Sequence, residues 1–170
     1  MYRGRRFSVE KIRYTHQGRT YEKEVVRHPG AVVILALTKN GNVVLEKQYR
    51  PALDGWIYEL PAGTLEPGEE PEACAVRELA EETGYIARRV VSLGAFYSSP
   101  GYSDEKLYAF LAENPERGER KPEDYEIIEV LEIPLKEFEE MIKRGEIVDA
   151  KTLATYTLFK EKWAARNTFL

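Results

Sequence analysis

The stretch Gly63–Tyr85, GTLEPGEEPEACAVRELAEETGY, decides the fold of this chain because it concentrates carboxylates on one short helix. Successive residues of an α-helix are turned by about 100°. With Glu78 at zero, Glu82 lies at about 40° and Glu81 at about −60°, so the three share one stripe. The sequence therefore predicts a helix with an acidic side.

The same stretch predicts where the helix begins and ends and which side faces the core. Pro71 suits the first helical turn, and Gly84 suits a left-handed C-terminal stop. Cys74, at about 320°, falls beside the acidic stripe and is expected to fill space. The side opposite to the carboxylates is expected to pack on the core, and it carries Ala73, Val76, Leu79, Ala80 and Thr83.

An acidic stripe has two interpretations. Glutamate favours helices, and such a stripe is usually a solvated surface. However, like charges three and four residues apart cost about 0.2–0.5 kcal/mol per pair. Only Arg77 is placed to offset this cost, four residues before Glu81. Hard cations such as Mg²⁺ and Mn²⁺ take oxygen ligands and would account for the cluster.

The spacing of the stretch favours the cation site. It runs as Gly, five residues, Glu, seven residues, Arg-Glu-Leu, one residue, Glu-Glu, one residue and Gly. This pattern resembles the signature box of the Nudix hydrolases at every defined position. The resemblance implies an α+β Nudix fold, in which a mixed β-sheet is sandwiched between helices. It also implies metal-dependent hydrolysis of a nucleoside diphosphate linked to another group.

Flanking segments narrow the resemblance to the ADP-ribose pyrophosphatase branch. They are QYR at 48–50, WIYELPAG at 56–63 and SPGYSDE at 99–105, with Pro100 fifteen residues after Tyr85. The resemblance covers roughly residues 30 to 145. It implies cleavage of ADP-ribose into AMP and ribose 5-phosphate. The alternative substrates are another nucleoside diphosphate sugar or a dinucleotide. The alternative to an enzyme is a catalytically silent Nudix-fold binding module.

The resemblance also implies roles for the residues of the box. Arg77 would orient the carboxylates through ion pairs, and Glu69 would bind metal weakly or brace the loop. The cofactor would be Mg²⁺, with Mn²⁺ or another divalent cation as the alternative. Its ligands would be Glu78 and Glu82, the backbone carbonyl of Ala62, and Glu81 as a further ligand or a close neighbour.

A glutamate beyond the box would activate the water in this branch. Glu126 matches best and Glu123 second, and a solvated acidic loop is the alternative for both. Arg50 would bind the diphosphate through two oxygens, unless it is only a surface strand residue. The terminal ribose would be held around the SPGYSDE segment, by Ser99, Pro100, Gly101 and Glu105, unless Pro100-Gly101 forms only a type II turn.

Two further substrate-binding candidates lie in the N-terminal segment. Tyr21 is an aromatic residue that could stack on adenine, although a plain packing role is equally open. Arg27 lies near the end of the same segment. In this branch the N-terminal hairpin is commonly exchanged between subunits, so the resemblance implies a homodimer with a shared site.

Composition limits the other function classes. The 170 residues include 25 Lys plus Arg and 29 Asp plus Glu, a net charge of −4, which provides no basic field for nucleic acid. Cys74 is the single cysteine, so no internal disulfide forms. The apolar runs are too short for a membrane span and the N-terminus lacks a signal-peptide pattern, so we expect a cytoplasmic protein without a membrane partner.

Turn and periodicity signals give the order of elements. Residues 1–29 are predicted as a hairpin extension, with strands at 7–14 and 19–28 joined through Gln17-Gly18, and as a dimerisation element. Residues 30–170 form the Nudix domain. Its predicted strands are 30–37, 43–50, 56–60, 89–97, 106–112 and 127–133, with a two-residue turn at Asn40-Gly41. Helices are predicted at 134–144 and, capped by Asp149, up to about residue 166.

Overall fold

The computed structural model describes residues 1–120 and 127–167 of the chain. Twelve strands and three helices lie within these ranges. The strands are β1 (Tyr2–Arg3), β2 (Ser8–His16), β3 (Arg19–Arg27), β4 (Ala31–Leu37), β5 (Asn42–Arg50), β6 (Gly55–Glu59), β7 (Ala62–Thr64), β8 (Tyr85–Ile86), β9 (Val90–Tyr97), β10 (Lys106–Glu113), β11 (Glu116–Arg117) and β12 (Ile128–Pro134). The helices are α1 (Pro71–Thr83), α2 (Leu135–Lys143) and α3 (Ala150–Asn167).

A seven-stranded mixed sheet forms the centre of the fold. Its strand order is β12-β5-β4-β10-β9, with β6 paired to β5 and β7 paired to β4. The β4–β10 pair is parallel, and the other pairs are antiparallel. Residues 31–36 of β4 are buried on both faces, as their continuous aliphatic run predicts. The short strands β1, β7, β8 and β11 were not predicted.

Helices cover both faces of this sheet. On one face α1 packs through Leu79 against Val32 and Ile34. On the other face α2 and α3 pack Phe138 and Tyr156 into the larger hydrophobic cluster, with ring centroids 5.2 Å apart. This arrangement confirms the predicted α+β class with a mixed sheet between helices. No helix in the described part of the chain has the length and apolar character needed to cross a membrane.

The two predicted tight turns differ in type. Gln17 and Gly18 both have positive φ, 48° and 73°, as a type I′ hairpin turn requires. Of Asn40 and Gly41, only Gly41 has positive φ, 75°. Its N–H donates to the carbonyl of Thr38 at 2.9 Å, so the two-residue turn predicted here is wrong and the loop is longer.

The N-terminal hairpin stands apart from the central sheet. Strands β1, β2 and β3 form their own three-stranded sheet. It is joined to the domain at its base, where the Val26 N–H donates to the Tyr102 carbonyl at 2.8 Å and the Asp104 N–H donates to the Val26 carbonyl at 3.1 Å. Arg27 forms an ion pair with Asp104 at 3.0 Å, and His28 N–H donates to the same carboxylate at 2.9 Å.

Helix α1 confirms its predicted ends and part of its predicted core side, since Leu79 and Thr83 are buried as predicted. It starts at Pro71 and stops at Gly84, which has a φ of 76°. Ala73 is exposed, which contradicts the prediction. The residues that are buried are Cys74, Ala75, Leu79, Glu82 and Thr83. The physical reason is that small residues let the helix approach β4 and β7 closely, with the Glu82 edge of the acidic stripe turned towards the sheet.

Candidate active site

A cavity of about 390 Å³ brings the predicted box residues together. Helix α1 lines it with the carboxylates of its acidic side, and β7 lines it together with the loop that follows. Three arginines from distant parts of the chain line it as well. The lining residues used below are Arg5, Arg6, Arg50, Ala62, Gly63, Arg77, Glu78, Glu81 and Glu82. We call this space the carboxylate cavity.

Arg77 connects three carboxylates at the edge of this cavity. Its Nε and Nη2 each donate to Glu69 at 2.8 Å, and its Nη1 donates to Glu78 at 2.8 Å and Glu81 at 3.1 Å. Arg77 holds the pKa of Glu69 down to about 2. Glu69 also accepts the Glu66 N–H at 3.0 Å, so it braces the loop that precedes the helix.

Glu82 and Glu78 lie against the backbone of β7. Glu82 is only 3% exposed, and its Oε2 accepts the Ala62 N–H at 3.0 Å. A Cβ on Gly63 would lie 1.8 Å from the Glu78 Cδ, so only glycine lets this carboxylate rest there. The contact predicted for Ala62 was through its carbonyl, whereas the contact observed is through its N–H.

The carboxylates fit a hard cation by their chemistry but are not arranged as a finished binding site. Within residues 1–120 and 127–167, no group of three His, Cys, Asp or Glu side chains is placed to hold a metal ion. Arg77 engages Glu78 and Glu81, and Glu82 turns to the Ala62 N–H. A divalent cation would therefore compete with Arg77 for oxygens that suit it.

Arg50 lines the cavity but is already held by a buried partner. Its Nε and Nη2 each donate to Glu59 at 2.7 Å, and the Glu59 side chain is 1% exposed. Burial lowers the pKa of Arg50, but the carboxylates of Glu59, Glu82 and Asp149 together raise it by more, so the pKa lies above its ordinary value. Lys151 also binds Glu59 and lies 3.1 Å from Asp149. The bidentate contact predicted for the diphosphate is therefore made with Glu59 in this structure.

The predicted ribose residues are divided between a turn and a second cavity. Tyr102 N–H donates to the Ser99 carbonyl at 3.0 Å. Gly101 lacks positive φ, so the turn is not type II. Pro100 and Gly101 are exposed on this turn. Ser99 and Glu105 line a cavity of about 340 Å³ together with Asp149 and Lys151, which we call the distal cavity.

A third space adjoins both cavities. It has a volume of about 270 Å³ and shares Arg50 and Gly63 with the carboxylate cavity and Glu105 and Lys151 with the distal cavity. His28 lines it as well, with Nδ1 at 3.7 Å from Glu105. We call these three adjoining spaces the cleft.

The hairpin candidates lie away from this cleft. Tyr21 stacks on Tyr14 with ring centroids 5.5 Å apart, and 40% of Tyr21 is exposed. Arg27 is bound by Glu10 and Asp104, whose hydrogen bonds raise its pKa. Neither Tyr21 nor Arg27 is among the residues that line the three cavities.

Glu126 and Glu123, the two predicted bases, lie outside the described residues. Arg120 precedes their segment and donates to two backbone carbonyls, those of Glu82 and Ile128, the latter at 3.1 Å. Arg120, the last described residue before this segment, therefore lies beside the C-terminal end of α1.

Three basic residues of the cleft were missed by the sequence interpretation. Arg5 and Arg6 line the carboxylate cavity, and Lys151 lines the distal one. The run RGRR near the N-terminus was a visible charge signal for the first two. For Lys151 the only sequence signal was its position two residues after Asp149, the predicted helix cap.

Comparisons with known proteins agree with this geometry. A family model described as NUDIX domain matches residues 26–156. An ADP-ribose pyrophosphatase of Bacillus subtilis is 46% identical over 137 residues, which cover 79% of this chain and 74% of that protein. A methanol dehydrogenase activator of Bacillus methanolicus is 40% identical over 138 residues, 80% of this chain and 75% of the relative.

Other relatives carry other names. A GDP-mannose pyrophosphatase of Escherichia coli K12 is 40% identical over 147 residues, with 76% of each chain covered. Among solved structures, a crystal structure of an ADP compounds hydrolase matches with a TM-score of 0.84 at 20% identity, covering 98% of this chain and 91% of that one. This structural likeness concerns the fold.

Proposed function

The chain belongs to the NUDIX domain family, and on that premise we propose that it hydrolyses ADP-ribose to AMP and ribose 5-phosphate. It is a hydrolase that acts on a diphosphate bond. The relative that is 46% identical bears the name of an ADP-ribose pyrophosphatase. The observation that carries the proposal is the carboxylate cavity, which is lined by three glutamates of α1 and also by Arg5, Arg6 and Arg50.

This combination of lining groups suits phosphoryl chemistry. A diphosphate placed in the cavity would have both guanidinium donors and carboxylates among its neighbours. Carboxylates alone repel phosphate oxygens, so they need a cation between them and the substrate. When bound, a divalent ion supplies charge neutralisation and a lower pKa for water. We assign its binding to Glu78, Glu82, Glu81 and the Ala62 carbonyl, and Mg²⁺ or Mn²⁺ fits these oxygen donors.

The chain's own residues would orient the substrate and the carboxylates. Arg77 holds Glu78 and Glu81 in place and offsets their mutual repulsion. Arg50 keeps one edge on Glu59, so it would meet a phosphate oxygen through its outer edge. We assign proton removal from the attacking water to Glu126, with Glu123 as the alternative, on the basis of the family resemblance alone.

The distal cavity would take the terminal sugar. Its Ser99 and Glu105 are suited to hydroxyl groups, and Asp149 and Lys151 add further polar contacts. Pro100 and Gly101 would act by shaping the turn beside it. A different sugar could occupy this cavity, since relatives that are 40% identical are named GDP-mannose pyrophosphatases. GDP-mannose is therefore the competing substrate for the test.

The proposal includes a homodimer. The hairpin exposes Tyr14 and Tyr21 on one face and is attached to its own domain only near its base. A second subunit that covers this face would bring Tyr21, and Arg27 at the base, towards a neighbouring site. Each site would then be built from the cavity of one subunit and the hairpin of the other.

The test is a comparison of substrates with the full chain. Catalytic efficiency would be measured for ADP-ribose, ADP-glucose, GDP-mannose, NADH and ATP, with release of AMP as the readout for the ADP compounds. Each assay would be run with Mg²⁺ and after chelation, with re-addition of metal as the control. We expect ADP-ribose to be preferred and activity to return with the metal. A preference for GDP-mannose or ATP would refute the substrate assignment.

A further inference from the structure

Glu59 is a buried carboxylate that binds two cations from different parts of the chain. It is the last residue of β6, and its side chain is 1% exposed. Arg50, the last residue of β5, donates from Nε to one carboxylate oxygen and from Nη2 to the other, both at 2.7 Å. Lys151, near the start of α3, donates from Nζ to the oxygen that also accepts from Nη2. The two cations therefore share one oxygen of Glu59.

The shared carboxylate is connected to the N-terminal end of α3 by a ring of hydrogen bonds. Thr152 Oγ1 accepts the Leu60 N–H at 2.9 Å and donates to Asp149 Oδ2 at 2.6 Å. The same oxygen of Asp149 accepts the Thr152 N–H at 2.9 Å and lies 3.1 Å from Lys151 Nζ. Lys151 in turn binds Glu59, the residue before Leu60, which closes the ring. A polar network in which every member is bonded holds its side chains in one arrangement.

The two cations bound by Glu59 line different cavities of the cleft. Arg50 lines the carboxylate cavity, and Lys151 lines the distal cavity. Both also line the space that adjoins the two. Glu59 is not among the described residues that line these spaces. One buried carboxylate thus holds the guanidinium proposed for a phosphate and an ammonium proposed for the sugar.

Both cations keep donors for a ligand while they bind Glu59. A guanidinium has five N–H donors, and Arg50 uses two of them on this carboxylate. An ammonium has three, and Lys151 uses one on Glu59 and one on Asp149. Because the inner edge of each cation is held, its remaining donors point in a fixed direction.

Arg50 and Lys151 also compete for the oxygen that they share. Each takes part of its negative charge, so Glu59 holds Arg50 less strongly than it would without Lys151. Charges in a partly buried space interact more strongly than in water. Loss of Lys151 would leave the carboxylate to Arg50 alone and would make that guanidinium less available to a phosphate. A change at the distal cavity would thereby alter binding at the carboxylate cavity.

A carboxylate that binds one cation from each cavity connects the two cavities electrostatically. We propose that Glu59 is a positioning residue that holds Arg50 and Lys151 in a fixed relation and couples phosphate binding at one end of the cleft to sugar binding at the other. Glu59 acts through the two cations and not by touching the substrate. Such coupling is reciprocal, so each end influences the other equally. This inference rests on the proposed function, since it explains how the cleft recognises a diphosphate that carries a sugar.

Glu59→Gln separates positioning from binding. Gln has the size of Glu without its charge, so Arg50 and Lys151 lose their shared carboxylate. The kcat for ADP-ribose should fall about tenfold or more, because a misplaced guanidinium slows the chemical step. The affinity for AMP, measured calorimetrically with Mg²⁺, should stay equal or rise, because a carboxylate no longer offsets the charge of Arg50. A loss of AMP affinity in step with the loss of kcat would overturn the positioning role.

Lys151→Met tests the coupling, because AMP has no terminal sugar to occupy the distal cavity. In the wild-type background the change should weaken AMP binding about fivefold, since Glu59 then holds Arg50 alone. In the Glu59→Gln background the same change should alter AMP affinity by less than about twofold. Equal effects in both backgrounds, or no effect in the wild-type background, would overturn the coupling. Equal effects would mean that Lys151 acts through its charge at a distance and not through Glu59.

Controls separate these effects from loss of charge and loss of stability. Lys160→Met removes an exposed ammonium of the same helix outside the lining of the cleft, and it should bind AMP like wild type. Met141→Ala removes a buried core side chain and should lower the melting temperature without changing kcat or AMP affinity. Parallel losses in Met141→Ala and Glu59→Gln would overturn the inference. Where Glu59→Gln does not fold, Glu59→Asp withdraws the carboxylate by one methylene group and should show the same loss of kcat with AMP affinity retained.

The binding experiments distinguish this inference from the proposed function. A chain in which the effect of Lys151→Met on AMP depends on Glu59, but which does not cleave ADP-ribose, would support the coupling and refute the proposed substrate. A chain that cleaves ADP-ribose while the two substitutions act independently on AMP affinity would support the proposed function and refute the inference.

Discussion

At the scale of single residues, Arg77 organises the acidic side of α1. One guanidinium serves Glu69, Glu78 and Glu81, with distances of 2.8 to 3.1 Å. Without it, three carboxylates would face one another in a partly buried space, where charge repulsion is stronger than in water. A cation that bound Glu78 or Glu81 would have to compete with these contacts to Arg77.

Glu82→Gln should reduce the rate of AMP release by about a hundredfold or more, because the change removes a charge needed for a hard cation. The fold should persist. Gln matches Glu in size, its amide oxygen can accept the Ala62 N–H, and loss of a charge that is 3% exposed relieves repulsion with Glu78. The melting temperature should therefore stay equal or rise.

Glu72→Gln is the matched control for this prediction. Glu72 lies on the same helix but is exposed and does not line the carboxylate cavity. Its rate should equal that of wild type. Activity near the wild-type level in Glu82→Gln would refute the assignment of Glu82 to the metal.

Glu126→Gln should slow the chemical step strongly and leave substrate affinity nearly unchanged, because a base acts mainly in the transition state. Glu123→Gln should have a much smaller effect. Single-turnover rates and binding titrations would separate the two effects. The opposite ranking would assign the base to Glu123, and two near-silent variants would assign water activation to a box residue such as Glu81.

At the scale of elements, the orientation of α1 decides how the acidic stripe is used. The helix packs against β4 and β7 with Cys74 and Ala75 buried, so its Glu82 edge faces the sheet and its Glu81 edge faces the cavity. Burial raises the pKa of the Cys74 thiol, which fits a packing role. One stripe therefore has a buried side fixed by backbone contacts and an accessible side available to ligands.

The hairpin is attached to the domain through a carboxylate, so its attachment should depend on pH. Burial raises the pKa of Asp104, but the His28 N–H and Arg27 lower it by more, so it lies below the ordinary value of 3.8. A depressed pKa contributes stability above the unfolded value and loses it as the pH falls through the folded value. The contribution should thus be complete above about pH 4 and fade below it.

Asp104→Asn tests this attachment. Denaturation midpoints of the variant and of wild type would be measured between about pH 5 and pH 2. Wild type should be more stable by a constant amount at the upper end, and the difference should shrink as the pH falls below about 4. A difference that does not change with pH would show that Asp104 contributes through hydrogen bonds alone.

At the scale of the whole molecule, the exposed hairpin predicts association. Two strands alone are marginally stable in water, and this hairpin exposes 46% of Tyr14 and 40% of Tyr21. We expect the chain, of 19.6 kDa, to sediment at about twice that mass. Tyr14→Glu should give a monomer, because it places a charge on the apolar contact surface.

Thr15→Glu is the control for the dimer, since successive strand residues point to opposite faces. Thr15 is exposed on the other side of the hairpin, beside Thr20. It should leave the sedimentation unchanged. A monomeric wild type, or a Tyr14→Glu variant that remains dimeric, would reduce the hairpin to a local extension and would remove Tyr21 from the site.

Local signals in the sequence determined the elements and the chemistry. Pro71 and Gly84 marked the ends of α1 because a ring-fixed φ and a left-handed stop act within one turn of chain. The aliphatic run of β4 predicted burial on both faces, and the spacing of the box predicted the family. These signals depend only on neighbours along the chain, so the sequence contained them fully.

Only the tertiary structure decided which groups meet. The Ala62 contact with Glu82, the ion pair of Glu59 with Arg50 and the place of Arg5 in the lining of the cavity join residues from different elements of the fold. The periodicity of the sequence predicts that α1 has an acidic side. The rotation of the helix about its axis, which decides where that side points, is set by its packing on the sheet. Which side chains contact each other is therefore set by the packing of the core, because shape and burial select among contacts that the sequence alone does not distinguish.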